Sequence, residues 1–257
     1  MAQPKTETVW ITRTLPQARK TALLVKAMGF KPLLAPVLAV KPLSPDMPDQ
    51  DYRALIFTSV NAVSRFAKLS PVRQINAFCV GEATAKSAKS KGFRKLYCAH
   101  GDDKALLSLI ASTAIKGDKL LWCAPKSAAQ PLDLWLNEAG FPTYKLDLYD
   151  TVPVIPHLSR KIISQPVTIL LHSAKAAQQV GHLINDPANG FIRTNLTFIC
   201  LSQSIANSLS LTLKASDPCD PSLAATNMTS KSIDVTPYRL KIAARPTQTD
   251  LLALLQT

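Results

Sequence analysis

The 257-residue chain predicts an α/β protein of two similar domains, each a parallel sheet flanked by helices. Three observations carry this expectation. Short apolar runs suited to buried strands alternate with segments of helical period. Hydroxyl residues stand at the strand-to-helix junctions, where they suit helix caps. The order of elements also recurs. Val9–Val40 reads strand, helix, Gly29-Phe30 and extended run, and Leu120–Val152 repeats this 111 positions later with Gly140-Phe141. Phe57-Thr58-Ser59 recurs as Leu171-His172-Ser173, and Val80-Gly81-Glu82-Ala83-Thr84-Ala85 recurs, degenerately, as Leu201-Ser202-Gln203-Ser204-Ile205-Ala206.

In chain order, Val9–Arg13 reads as a strand, and Thr14-Leu15-Pro16-Gln17 as a capping box that opens a helix closed by Gly29. Phe30–Val40 is extended, but Pro32 and Pro36 make part of it an edge strand or connector. Lys41–Gln50 is a loop. Ala54–Phe57 is a buried strand, and Ser59 caps the helix that follows. Strands follow at Asn76–Val80, Lys95–Cys98 and Lys119–Cys123, with helices from Gly81 to Lys91, Lys104 to Thr113 and Pro131 to Ala139. Thr143–Val152 is extended, Val167–Leu171 and Leu196–Leu201 are strands, and helices run over Lys175–Ile184 and Ser204–Leu209. Residues 215–236 read as a long polar loop, and Thr247-Gln248-Thr249-Asp250 caps the last helix.

Composition narrows the function classes. The chain has 47% hydrophobic residues and a net charge of +13, so it can build two cores and favours an anionic partner. The charge is uneven: residues 1–105 hold 17 lysines and arginines against 7 acidic residues. The N-terminus offers no signal peptide and no apolar run is long enough to span a bilayer, which points to a cytoplasmic protein without a membrane partner. The five cysteines are odd in number and lack CxxC spacing, as expected of reduced, buried thiols. The four histidines do not fall at metal-ligand spacing. No G-x-G, phosphate loop or G-x-S-x-G is present, which argues against dinucleotide binding, P-loop chemistry and a serine nucleophile of that type.

What remains is a set of hydroxyls at strand-to-helix turns: Thr58, Ser59, Thr84, Ser173 and Ser204. Capping is sufficient for each singly. Together, at matching places of two repeats, they would line a cleft with hydroxyls and backbone N–H donors suited to carboxylates. Arg13, Arg65, Lys126 and Lys175 are the candidate charged partners. Tyr149 is either a half-buried strand tyrosine or a proton donor in that cleft.

These residues resemble the uroporphyrinogen-III synthase family. The marks are Ile11-Thr12-Arg13, Gly29-Phe30 leading to Ala35-Pro36-Val37, Leu55-Ile56-Phe57-Thr58-Ser59-x-Asn61-Ala62-Val63, Val80-Gly81-x-Ala83-Thr84-Ala85, Gly140-Phe141 leading to Leu148-Tyr149-x-Thr151-Val152-Pro153, and Pro246-Thr247 before the terminal helix. They cover nearly the whole chain in the family's order. The resemblance implies two domains, residues 1–38 plus 154–257 and residues 39–153, joined by two extended crossover strands with the active-site cleft between them. It implies a monomer that cyclises hydroxymethylbilane, a linear tetrapyrrole with eight carboxylates, to uroporphyrinogen III with loss of water and inversion of ring D. It implies no cofactor and no metal. On motif match Tyr149 assists departure of the hydroxyl, and Thr58, Ser59, Thr84, Ser173 and Ser204 bind substrate; Arg13 is expected to join them as a charged partner.

The chain departs from the family pattern in three places. Ser202-Gln203-Ser204 replaces a glycine- and threonine-bearing turn, His172 stands where a small residue is frequent, and the stretch at 215–238 is long. Two other readings of the composition stay open at this level: a non-catalytic two-lobed protein for a tetrapyrrole or other anionic small molecule, and a nucleic-acid binder. The second is disfavoured, because aromatics are 6% of the chain and do not interleave with basic residues.

Overall fold

The computed structural model describes residues 7–15, 17–48, 51–128, 130–214 and 238–257. The elements in chain order are β1 (Thr8–Ile11), α1 (Gln17–Ala27), β2 (Lys31–Leu34), β3 (Leu38–Pro42), β4 (Ala54–Phe57), α2 (Val60–Leu69) and β5 (Asn76–Cys79). They continue with α3 (Glu82–Ser90), β6 (Leu96–Cys98), α4 (Asp103–Thr113), β7 (Leu120–Pro125), α5 (Leu132–Glu138), β8 (Thr143–Pro153) and α6 (Arg160–Ile163). The last are β9 (Val167–Leu171), α7 (Ala174–Asn185), β10 (Leu196–Cys200), α8 (Gln203–Lys214), β11 (Arg239–Ile242) and α9 (Gln248–Ala253). The proline-bearing run after Gly29 splits, as its composition predicts, into edge strand β2 and the separate strand β3. The sequence reading passes over α6 and β11. The reading of 215–236 as a loop, the first-turn role of Pro16 and the thiol of Cys219 lie outside the described residues.

The chain divides into two compact units, Met1–Ala39 with Pro153–Thr257, and Val40–Val152. One sheet has the order β11-β10-β9-β1-β2, and the other β3-β8-β7-β4-β5-β6. The pairs β1–β2, β1–β9, β9–β10 and β10–β11 are parallel, as are β4–β5, β4–β7, β5–β6 and β7–β8. The chain passes between the units in β3 and β8. Leu43 N–H donates to the Leu148 carbonyl at 2.9 Å and Val154 N–H to the Val37 carbonyl at 2.9 Å, so these two crossing strands run antiparallel.

Written side by side, β2-β1-β9-β10-β11 and β8-β7-β4-β5-β6 are the same order. Each repeat partner found in the sequence takes the matching place, β1 with β7, β2 with β8, β4 with β9 and β5 with β10, and the strand order adds β6 with β11. The two copies are exchanged between the units. Each unit combines the two-strand part of one copy with the three-strand part of the other.

Period-two alternation buries both faces of each sheet. Val9, Ile11, Leu170 and Ile199 pack against Ala18, Val25, Leu251 and Leu252 of α1 and α9. Trp10, Ile169, Leu171 and Phe198 turn to the opposite face, against Val180, Leu183 and Leu209 of α7 and α8. In the second unit Ile56 and Trp122 meet Ile110 and Leu136 of α4 and α5, while Leu55, Phe57 and Cys123 meet Phe66 and Ala88 of α2 and α3. The helix stops repeat as well. Gly29 and Gly140 have φ of +87° and +89°, and the next residues close the turn, Phe30 N–H to the Val25 carbonyl at 3.2 Å and Phe141 N–H to the Leu136 carbonyl at 2.9 Å.

This exchange has a direct test. A fragment spanning residues 37–154 contains one whole sheet and is expected to unfold cooperatively in urea, followed by circular dichroism. A fragment of residues 1–117, one whole sequence repeat, leaves β1 without β9 and β4 without β7, and is expected to melt without a cooperative transition. The reverse outcome would overturn the assignment of strands to units.

Candidate functional site

In open parallel sheets ligands bind at the carboxyl ends of the strands, where the strand order reverses. That point lies between β4 and β7 in the Val40–Val152 unit, and between β9 and β1 in the other.

At the first point β4 ends at Phe57 and the chain turns through Thr58 and Ser59. Ser59 is the N-cap of α2: its backbone is extended, φ −155° and ψ 155°, and its Oγ accepts from Ala62 N–H at 3.1 Å. The same Oγ lies 2.8 Å from the phenol oxygen of Tyr149. Tyr149 is carried on β8, at the register shift beside Ala124 and Pro125 of β7, and is 6% exposed. Burial pushes its phenol above the ordinary value, and the Ser59 hydrogen bond opposes this. The phenol is therefore protonated at neutral pH. Thr58 Oγ1 receives the indole N–H of Trp122 from β7 at 3.5 Å, a weak contact. One face of Tyr149 borders a cavity of about 260 Å³ whose polar lining comes from Asn61, Ser64, Arg65 and Lys68 of α2. Arg65 is already engaged: its Nε donates to the Leu43 carbonyl and its Nη2 to Ser44 Oγ, both at 2.6 Å. It ties the segment after β3 to α2. Lys126 has an exposed side chain, and its backbone N–H donates to the Tyr149 carbonyl at 2.8 Å.

The second point repeats the cap. Ser173 has φ −154° and ψ 152°, and its Oγ accepts from Ala176 N–H at 3.2 Å. Lys175 follows in the first turn of α7. The neighbouring side chains differ from those of the other unit. Arg13, just beyond β1, donates from Nη1 to Gln248 Oε1 at 3.1 Å. His172, just beyond β9, brings its Nε2 to the same oxygen at 3.0 Å. Burial, and then the charge of Arg13, pull the His172 imidazolium from its ordinary 6.5 down to about 4. Burial also pulls Arg13 down, yet a guanidinium stays charged.

The structure thus brings Ser59 and Tyr149 together, sets Thr58 beside Trp122, and sets Arg13 one residue away from the Ser173 turn through Gln248 and His172. Thr84 and Ser204 join neither group. Both stand inside the first helical turn instead of at its cap. The cap of α3 is Gly81, with no side-chain bond, and Thr84 is buried. Ser204 follows the first residue of α8, is exposed, and hydrogen-bonds Ser202 Oγ at 2.9 Å. Gln248 and Trp122 are absent from the sequence-derived set. Gln248 directly follows the capping Thr247, which accepts from Asp250 N–H at 3.2 Å, so it reads there as a spacer within the motif. Among the described residues no group of three His, Cys, Asp or Glu side chains is placed to hold a metal ion, and no helix is long and apolar enough to cross a membrane.

Comparison with known proteins bears on the family and the fold. A family model described as uroporphyrinogen-III synthase matches residues 19–216. The chain belongs to that family. No curated protein sequence matches it. Among solved structures it is similar to uroporphyrinogen-III synthetase from Helicobacter pylori, with 19% identity and a TM-score of 0.62 over 98% of this chain and 99% of that one. It is also similar to a mutant uroporphyrinogen III synthase from Thermus thermophilus, with 14% identity and a TM-score of 0.52 over 98% of each chain. At these identities the likeness establishes a shared fold.

Two outcomes check the local physics. Ser59→Ala and Ser173→Ala each remove one cap and are expected to cost about 1 kcal/mol in urea denaturation. His172 takes its proton near 6.5 when unfolded and only near 4 when folded. The unfolded chain therefore binds more protons between those values, and stability falls as pH drops through that window. His172→Asn is expected to flatten this part of the thermal-midpoint profile; an unchanged profile would remove buried His172 as its cause.

Proposed function

We propose that this member of the uroporphyrinogen-III synthase family cyclises hydroxymethylbilane, releasing its hydroxyl as water, inverting ring D and closing the macrocycle as uroporphyrinogen III. The observation that carries the reading is the Ser59–Tyr149 pair, 2.8 Å apart at the carboxyl edge of a parallel sheet. Ser59 Oγ has one proton and two lone pairs. One lone pair is used by Ala62 N–H. When the hydroxyl proton is donated to the Tyr149 oxygen, the phenol proton is free to point away, toward a leaving hydroxyl. The raised phenol value keeps that proton in place at neutral pH, so Tyr149 assists departure as a hydrogen-bond donor.

The remaining demand is positioning. A linear tetrapyrrole has reactive ends that must be held in one arrangement, and holding them supplies most of the advantage over the free chain. Thr58, Ser59, Thr84, Ser173 and Ser204 are proposed to meet substrate carboxylates with hydroxyls or adjoining backbone N–H groups, and Arg13 with its cation. On this reading residues 1–38 with 154–257 form one working domain and residues 39–153 the other, and the +13 charge draws in a substrate with eight carboxylates.

The test supplies hydroxymethylbilane, generated in situ by its synthase, and separates the porphyrin isomers after oxidation. A large excess of isomer III over the protein-free control is expected, and isomer I alone from folded protein would refute the activity. Tyr149→Phe is expected to lower kcat by about tenfold, less than loss of an obligatory acid would cost, while the product stays isomer III.

A further inference from the structure

Arg13 is a half-buried cation with no counter-ion among the described residues. It sits just beyond β1 at the order-reversing point of its sheet. Among the described residues its side chain has one partner, the neutral amide oxygen of Gln248 at 3.1 Å, and no carboxylate pairs with it. A guanidinium withdrawn from water without an opposing charge is costly. Its fork of N–H donors is otherwise unspent.

The support beneath it is fixed by hydrogen-bond counting. Gln248 Oε1 receives Arg13 Nη1 and also faces His172 Nε2 at 3.0 Å. Turning the amide over would set its NH₂ against the guanidinium, donor against donor, so the orientation follows from Arg13. With Oε1 as acceptor, His172 meets it through Nε2. Gln248 Nε2 is then buried and without a hydrogen-bond partner among the described residues, a cost in stability that the contact to Arg13 imposes. What Arg13 still offers is specific: unspent N–H donors and a positive charge. A carboxylate, which accepts at both oxygens, fits them.

We propose that Gln248 and His172 are positioning residues that aim Arg13, without neutralising it, at a side-chain carboxylate of the substrate. This rests on the cyclase reading above and adds the reason for an amide at position 248. A glutamate there would hold Arg13 more firmly and occupy its charge. A glutamine holds it and leaves the charge for the ligand. His172 serves the same end, because a neutral ring steadies the amide without adding a second cation or a competing anion.

The decisive variants are Gln248→Met, which keeps the shape and removes the acceptor, and Gln248→Glu, which strengthens the bond and supplies a counter-ion. Steady-state kinetics would use hydroxymethylbilane made in situ, with isomer analysis and a thermal melt of each variant. For Gln248→Met, KM is expected to rise about tenfold with kcat within twofold, since uniform binding is lost. For Gln248→Glu, KM is expected to rise at least as far although the thermal midpoint holds or increases. A purely structural role predicts the opposite, a glutamate variant that binds substrate as well as the parent. In an Arg13→Met background the Gln248→Met change is expected to add less than twofold, because its effect runs through Arg13. A parent-like KM for Gln248→Glu, or a full tenfold effect of Gln248→Met without Arg13, would overturn the positioning role while the parent still forms isomer III. Isomer I alone from the parent protein would overturn the cyclase reading, and this assignment with it.

Discussion

The pairing of β1 with β9 is the constraint from which the first unit follows. It joins backbone from the start of the chain to backbone far along it, and a buried side chain reinforces it: Thr12 Oγ1 donates to the Leu170 carbonyl at 2.6 Å across a separation of 158 residues. With β1 seated between β2 and β9, the sheet gains a central strand and two apolar faces. Its order also reverses there. That reversal leaves the chain ends after Ile11 and Leu171 side by side, and so places Arg13 against His172. The site of this unit is thus a by-product of a sheet that must close on itself from distant parts of the sequence.

The two order-reversing points share a backbone and differ in chemistry. Both carry a serine cap with nearly the same dihedral angles and the same bond to an N–H three residues on. One adds a phenol paired with the serine. The other adds a cation resting on two uncharged groups. The same frame stands twice, and the side chains next to the caps differ, a phenol in one unit and a guanidinium in the other. A reaction governed by the placement of a long polyanion uses such a division well, since neither edge needs a strong acid or base.

Much of this was legible because it is local. Buried strands announce themselves as short apolar runs, and Ser59, Ser173 and Thr247 stand where a helix needs a cap. Gly29 and Gly140 stop helices because a positive φ suits glycine. The features that escaped are set by partners distant in sequence. β11 carries Arg239 and Lys241 at the edge of a sheet, and of its apolar residues Leu240 is exposed and Ile242 half-buried, so its alternation is faint. Thr84 and Ser204 sit at turns by spacing, yet the helices begin two residues and one residue earlier, after Gly81 and the Ser202 turn. Gln248 is chemically plain in sequence and acquires meaning only beside Arg13. The exchange of repeat halves between units is invisible to periodicity, which sees the copies but not their pairing; only the ordered likeness to a family implied it.

That exchange bears on how the chain is made. Synthesis runs from the N-terminus, and domains tend to fold as they emerge. All strands of the β3–β8 sheet lie within one continuous stretch, so that sheet can close while later residues are still being added. β1 and β2 emerge before that stretch and complete their sheet after it, because β9 does not exist until residue 171 has been joined. For that interval Val9, Trp10 and Ile11, all buried in the finished protein, stand in an incomplete two-stranded sheet with an open edge. A slow ribosome between residues 153 and 171 would therefore prolong the exposure of this apolar strand.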